Sequence, residues 1–279
     1  MRPHRPVDLG HALQRALVQA LAKLAAALAQ ADMSEADVHR ARRAAKRARA
    51  LARLAPGALA AHAQRTIEIA RQARRGLGGP RDAAVRRATL AKLRKRLGPA
   101  HERLAGALDD PAPPAADDRD GLRIALGALI HEWRAATMSD AGDEILRRVT
   151  KGYRKARRRA PHHGASAQEL HRWRAAVVDH EYQTDFLKDC SRFAARQSDS
   201  ADELRRRLGE AHDIDALLGF AEASEDAALN GSHEALAAAA APRRNKRAAA
   251  ARRLGEKMFG RKPRKWAKRL RRSVLPSDG

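Results

Sequence analysis

Aromatic residues are scarce in this chain of 279 residues: four Phe, three Trp and two Tyr. So few large rings argue against an aromatic-cored β-sandwich. They also leave little for base stacking, which needs exposed rings interleaved with charge. There is one cysteine, Cys190. It excludes an internal disulfide and a thiolate metal cluster, and makes a cytosolic setting the expectation. No apolar run approaches the roughly 20 residues of a membrane-spanning helix. Met1 to Asp8 lack the basic-then-apolar order of a signal peptide. Alternating Val/Ile/Thr-rich segments are missing, which argues against strands. Catalytic signatures are missing too: no G-x-x-x-x-G-K-[ST] loop, no G-x-S-x-G elbow, no carboxylates paired at metal spacing, and no H-x-x-x-H among the histidines. No catalytic residue, metal site or cofactor is therefore expected.

What the chain does have is alanine and positive charge. Lys and Arg number 57 against 33 Asp and Glu, a net charge of +24, and 44% of residues are apolar. Ala is the best helix former and lets helix backbones approach, so an all-α fold of closely packed helices is predicted. Asp8 to Gln30 carries Leu9, Leu13, Leu17, Leu21, Leu24 and Leu28 at helical spacing. Ser34 with Asp37 reads as a capping box opening a helix that runs to Pro56-Gly57. Further helices are predicted over Ala58–Leu77 and from Arg81-Asp82 to Gly98-Pro99. The acidic, Pro-rich stretch Asp109–Asp120 reads as a linker. Beyond it, helices are predicted at Gly121–Met138 and Ala141–Ala160. A long one follows, opened by Ser166 and Glu169 and reaching about Arg196. Others are expected at Asp199–Leu208, Asp213–Leu229 and beyond Ser232. Asp82 and Asp213 read as helix-start residues, and Arg81–Asp82 and His212–Asp213 as structural pairings.

Two landmarks recur. Val38-His39 opens one helix and Leu170-His171 another; Leu77-Gly78-Gly79-Pro80-Arg81-Asp82 is echoed by Leu208-Gly209-Glu210-Ala211-His212-Asp213. The histidines lie 132 positions apart and the aspartates 131. A shared offset points to a duplicated helical unit packed about a pseudo-two-fold axis. Within one domain over 1–279, the first repeat covers 8–108, the linker 109–120, the second repeat 121–241, and a basic C-terminal helical segment and tail 242–279.

The charge is clustered. On a helical wheel Arg40, Arg42, Arg43, Lys46, Arg47, Arg49 and Arg53 share one half of the circumference with His39, while Val38, Leu51 and alanines fill the other. No acidic residue lies between Arg40 and Arg53. Like charges at i, i+4 repel, so a face of one sign implies an external polyanion that completes it. The alanine-rich apolar face suits helix packing better than a membrane. Other clusters are Arg71, Arg74 and Arg75; Tyr153-Arg154-Lys155-Ala156-Arg157-Arg158-Arg159; and Pro242 to Arg272, with fifteen Lys/Arg and a single acid, Glu256. That last region reads either as an ordered cap or as a mobile arm.

These motifs together resemble the CHAD domain, the conserved-histidine α-helical domain, over roughly residues 8 to 260. The resemblance implies two related antiparallel four-helix bundles whose basic surface binds inorganic polyphosphate without catalysis, and a cytoplasmic place at polyphosphate granules. Carried over position by position, His39, Arg42, Lys46, Arg47 and Arg49 fall on the family's first basic helix and His171, Arg172 and Arg174 on its second. Arg43 and Arg53 of the same stripe, and Arg154, Arg157 and Arg158 of the cluster before the second helix, complete the expected polyphosphate contacts. The second helix departs from the pattern, with Val178, Glu181 and Asp185 where the first has Lys46, Arg49 and Arg53. Binding is therefore expected to lean on the first half. The alternative is a generic polyanion or nucleoid-type nucleic-acid binder, and a third reading is a scaffold for acidic or granule-associated proteins. Weak nucleic-acid binding is expected beside polyphosphate, and no membrane.

Overall fold

The computed structural model describes residues 8–30, 32–108, 119–223 and 232–275, the side chains of 79–81 excepted. All regular structure among the described residues is helical. Helix α1 (Leu9–Leu28) buries the predicted leucine stripe. α2 (Glu35–Ala52) starts at a reciprocal cap: the Asp37 N–H donates to Ser34 Oγ at 3.2 Å, and the Ser34 N–H donates to Asp37 Oδ2 at 3.1 Å. After one 3-10 turn come α3 (Ala60–Gly76), α4 (Gly79–Ala91), the short α5 (Arg94–Leu97), α6 (Ala100–Ala107) and α7 (Arg119–Ala135). α1, α2, α3 and α7 pack pairwise into a closed ring. Gln14 Nε2 donates to the carbonyls of Trp133, Arg134 and Ala136 at 2.8, 3.1 and 2.7 Å, satisfying the end of α7 from α1. There the chains touch so closely that a Cβ on Gly10 would stand 1.7 Å from the Met138 carbonyl oxygen.

The remaining helices are α8 (Gly142–Arg158), α9 (Ala167–Phe186), α10 (Arg192–Glu222), α11 (His233–Phe259) and α12 (Pro263–Val274). α9 packs on α8 and α10, α10 carries α11, and α12 closes over α8 and α10. α2 crosses α9 where Ala50 meets Val178 and Tyr182, and Gln183 Nε2 donates to the Ala50 carbonyl at 3.2 Å. A single apolar core thus runs from Leu9 to Val274. A second, smaller cluster joins Leu90, Leu93, Leu97 and Leu104 to Ile214, Leu217 and Leu236, so α4 lies on α10.

Several boundaries differ from those predicted. The long helix from Ser166 ends at Phe186, because the chain turns and Ser191 caps a new one, its Oγ accepting from the Ala194 N–H at 3.0 Å. That new helix, α10, then runs unbroken through Gly209 and Asp213. Asp213 is therefore mid-helix and starts nothing. A glycine inside a helix costs about 1 kcal/mol. Burial of Leu204, Leu208, Ala211, Ile214 and Leu217 along one side outweighs that. Asp82 does lie in the first turn of α4. The segment predicted to end at Gly98 divides at Lys92–Leu93, which turns Leu93 and Leu97 toward α10 and α11. The linker residues 109–118, the end of the helix expected to reach Leu229, and the Arg81 half of the Arg81–Asp82 pairing lie outside the described residues and side chains.

The basic C-terminal region is an ordered cap. Trp266 is 1% exposed, stacks on Tyr153 with ring centroids 4.4 Å apart, and donates from Nε1 to Gln197 Oε1 at 3.0 Å. Beside them His180 is fully buried among Tyr153, Phe259 and Trp266, and neither ring nitrogen has a partner among the described residues. Burial alone pushes this imidazole down to about 3. The folded state therefore favours neutral His180, and the stability this gives is complete above the unfolded value near 6.5. It is lost as pH falls toward 3, by up to about 1.4 kcal/mol per pH unit. His180→Phe replaces two unsatisfied nitrogens with carbon in a site of similar shape. Thermal melts from pH 7 to 4 should show a higher midpoint and a shallower acid slope for H180F; an unchanged slope would refute this role.

Candidate anion-binding cleft

The crossing of α2 over α9 decides where the basic stripe points. Six of its seven cations divide between two flanks. On one, Arg40, Arg43 and Arg47 border a groove of about 620 Å3 against α1, with Lys23 and Tyr182. Arg47 pairs with Asp185 of α9, and Arg40 with Asp37 in its own first turn. On the other, Arg42 and Arg49 turn inward toward α3 and α9, with side chains 11% and 15% exposed. Arg42 Nη1 donates to the carbonyls of Arg74 and Leu77 at 3.2 and 3.0 Å, capping the end of α3, and its Nη2 lies 3.9 Å from Asp82. Arg49 Nη2 donates to Asp179 Oδ1 at 2.7 Å, and Arg53 Nε stands 3.4 Å from the other oxygen of the same carboxylate.

Acids of α9 therefore neutralise part of the stripe, which corrects the inference that all seven cations await an external partner. The sequence interval from Arg40 to Arg53 contains no acid, but Asp179 and Asp185 arrive from 130 and 138 residues away. Glu181, a further departure from the pattern, faces Arg205 of α10 at 2.8 Å.

Positive charge is still in excess at the centre. Arg74, near the end of α3, is half-buried; burial, with Arg49, Arg42 and Arg174 crowding it, holds its guanidinium down to about 10 against the weaker pull of Asp179. His171, at the start of α9, is lowered by burial and by Arg174 and Arg74. Its Nδ1 lies 3.4 Å from Nδ1 of His212 on α10, with the rings 4.8 Å apart. Arg174 lies over Gly209 of α10, 3.8 Å from where a Cβ would stand. Lys155 of α8 enters from the side, lowered by burial and by Arg53, Arg159 and Arg49. Cations of α2, α3 and α8 thus gather around the buried carboxylate of Asp179, with Arg174 of α9 crowding Arg74 beside them. Such a cleft is electrostatically unfavourable when empty and suits an anion with many acceptor oxygens.

The other predicted contacts are dispersed. His39 is exposed at the start of α2, and Lys46 is half-buried. Arg172 is exposed, its carbonyl accepting from Arg159 Nη1 at 3.4 Å. Arg154 and Arg158 are exposed on α8, whereas Arg157 Nε donates to the Phe259 carbonyl at 2.9 Å and so holds the C-terminal cap. Two central residues were absent from the expected contact set, Arg74 and Lys155. Both stood in basic clusters visible in the sequence, but only helix packing selects the members that face the cleft. Among the described residues no three His, Cys, Asp or Glu are grouped to hold a metal ion.

An all-helical protein with a cationic cleft where its helix groups cross is thus defined by fold and site. The CHAD domain family model matches residues 12–222, and the chain belongs to that family. The crystal structure of the CHAD domain from the plant Ricinus communis has the same fold, with a TM-score of 0.58 and 20% identity over 92% of this chain and 97% of that one. Curated protein sequences gave no match. No helix among the described residues is long and apolar enough to cross a membrane.

Proposed function

We propose that this protein binds inorganic polyphosphate, without catalysis, in the cleft formed by α2, the end of α3 and the start of α9, and that binding places it at polyphosphate granules. The observation that carries this is the crowding of Arg49, Arg42 and Arg174 on the half-buried Arg74, which Asp179 offsets only in part. Polyphosphate is a flexible chain of acceptor oxygens with charge on every phosphate and no bases to read. Arginine forks suit such oxygens, and a phosphate beside His171 would favour its protonated form. The buried aromatics, Trp133 and Trp173 at 0% exposure and Tyr182 at 7%, offer no stacking platform for nucleic acid. In this proposal the cleft lies at a pseudo-two-fold axis relating two four-helix bundles, the first of them closed by α7 from beyond the linker. The acids of α9 mark where the second repeat has given up ligand contacts to hold the first.

The test is a competition titration at physiological salt. Labelled long-chain polyphosphate is bound and challenged with DNA or RNA at equal total charge; weak displacement is expected. Displacement in proportion to charge alone would favour a generic polyanion or nucleoid-type binder, the reading that the exposed cations of α12 support. Phosphate released from polyphosphate by the purified protein with a divalent metal would overturn the non-catalytic part. A scaffold for granule proteins would instead show pull-downs that survive both nuclease and polyphosphatase.

A further inference from the structure

We infer a second phosphate site outside the cleft, in a cavity of about 600 Å3 bordered by the start of α10, the end of α11 and the N terminus of α12. It takes a short stretch of condensed phosphate; the ligand's identity, but not the site, rests on the polyphosphate reading above. Six cations line it, Arg196, Lys257, Arg261, Lys262, Lys265 and Arg269, and no carboxylate does. None of the six makes an ion pair with a described carboxylate. This contrasts with the cleft, where Asp179 and Asp185 answer Arg47, Arg49 and Arg53. Five of the six, from Lys257 to Arg269, lie beyond residues 12–222, the span matched by the family model.

The lining is held in place from beneath. Tyr153 Oη donates to the Arg261 carbonyl at 2.8 Å and Arg157 Nε to that of Phe259 at 2.9 Å, so α8 fixes the turn that carries Gly260, Arg261 and Lys262. Buried Trp266 pins α12, and Arg269 lies 5.0 Å over the ring of Phe193. No side chain caps the start of α12, whose first amides add partial positive charge at the cavity's edge. The backbone that carries these charges is already ordered, so less freedom is lost when an anion arrives.

The same packing narrows the ligand. The apolar face of α12, Trp266, Leu270 and Val274, is buried, which leaves nothing to insert into a membrane. Phe193 lies under Arg269 and Trp266 is 1% exposed, so neither a nucleobase nor an apolar peptide side chain finds a surface. A bare, densely charged chain remains, and cleft and cavity together make the protein bivalent toward a long one.

Calorimetry on the full chain at physiological salt, with tripolyphosphate and with long-chain polyphosphate, tests this on K257S/K262S/K265S and on R74Q/R174Q. The three lysines are exposed, so their removal leaves the fold intact. Two tripolyphosphate sites are expected in the wild type and one in the lysine variant. Affinity of that variant for the long chain should fall about tenfold or more, since the second contact is intramolecular. Two unaltered sites in the lysine variant, or a single wild-type site abolished by R74Q/R174Q, would overturn the second site and leave the cleft standing. With two wild-type sites, R74Q/R174Q should keep the one that the lysine variant loses; a single wild-type site that survives R74Q/R174Q and vanishes in the lysine variant would overturn the cleft and support the cavity.

Discussion

Arg74→Gln is expected to weaken polyphosphate binding by about tenfold or more while raising the melting temperature of the free protein. The two effects have one cause. Burial and the charges of Arg49, Arg42 and Arg174 disfavour the charged form of Arg74, holding it near 10. A lowered value for a base means the folded state prefers it neutral. At pH 7, below both the folded and the unfolded values, the guanidinium is charged and the folded state bears the whole repulsion. Allowing for solvent screening of a half-exposed group, its removal should stabilise the free protein by about 1 kcal/mol, or roughly 2–4 °C. A charge-assisted contact to phosphate contributes about 1.5–3 kcal/mol, which gives the loss in affinity. Thermal melts and titration of the same preparation check both. A variant that binds as wild type, or one that melts lower and binds worse, would contradict the assignment.

The second large effect runs the other way. Asp179 is 8% exposed in its side chain and answers both Arg49 and Arg53. Asp179→Asn keeps the shape but leaves two cations facing an amide. Removing one partner of a buried pair costs about 3 kcal/mol or more, so D179N should melt roughly 6 °C or more below wild type. Polyphosphate, arriving as the replacement anion, should restore more stability to D179N than it adds to wild type, because binding to the folded state alone raises stability by mass action. If ligand shifts both proteins equally, Asp179 lies outside the binding region. If D179N melts as wild type, the pair contributes nothing to the fold.

The alanine-rich, aromatic-poor composition and the leucine stripe of α1 were enough for an all-helical fold, since both act through local propensity and periodicity. The caps at Ser34 and Ser166 are legible for the same reason: each bond spans three residues. Legibility fails where a distant surface overrides local preference. Gly209 and Asp213 look like a helix break, yet α10 passes through them because its leucines are buried against neighbouring helices.

The candidate cleft shows the same division. The cationic stripe of α2 can be drawn from residues 39–53 alone, because 100° per residue is a property of the helix. Its electrical environment cannot, because Coulomb interaction depends on distance in space and on burial, neither of which a sequence interval contains. The composition and periodicity of the chain determined that it is helical and strongly cationic, with charge gathered on chosen faces. The crossing of α2 over α9 decided which of those charges Asp179 and Asp185 neutralise, and which, Arg74 foremost, are left pressed together.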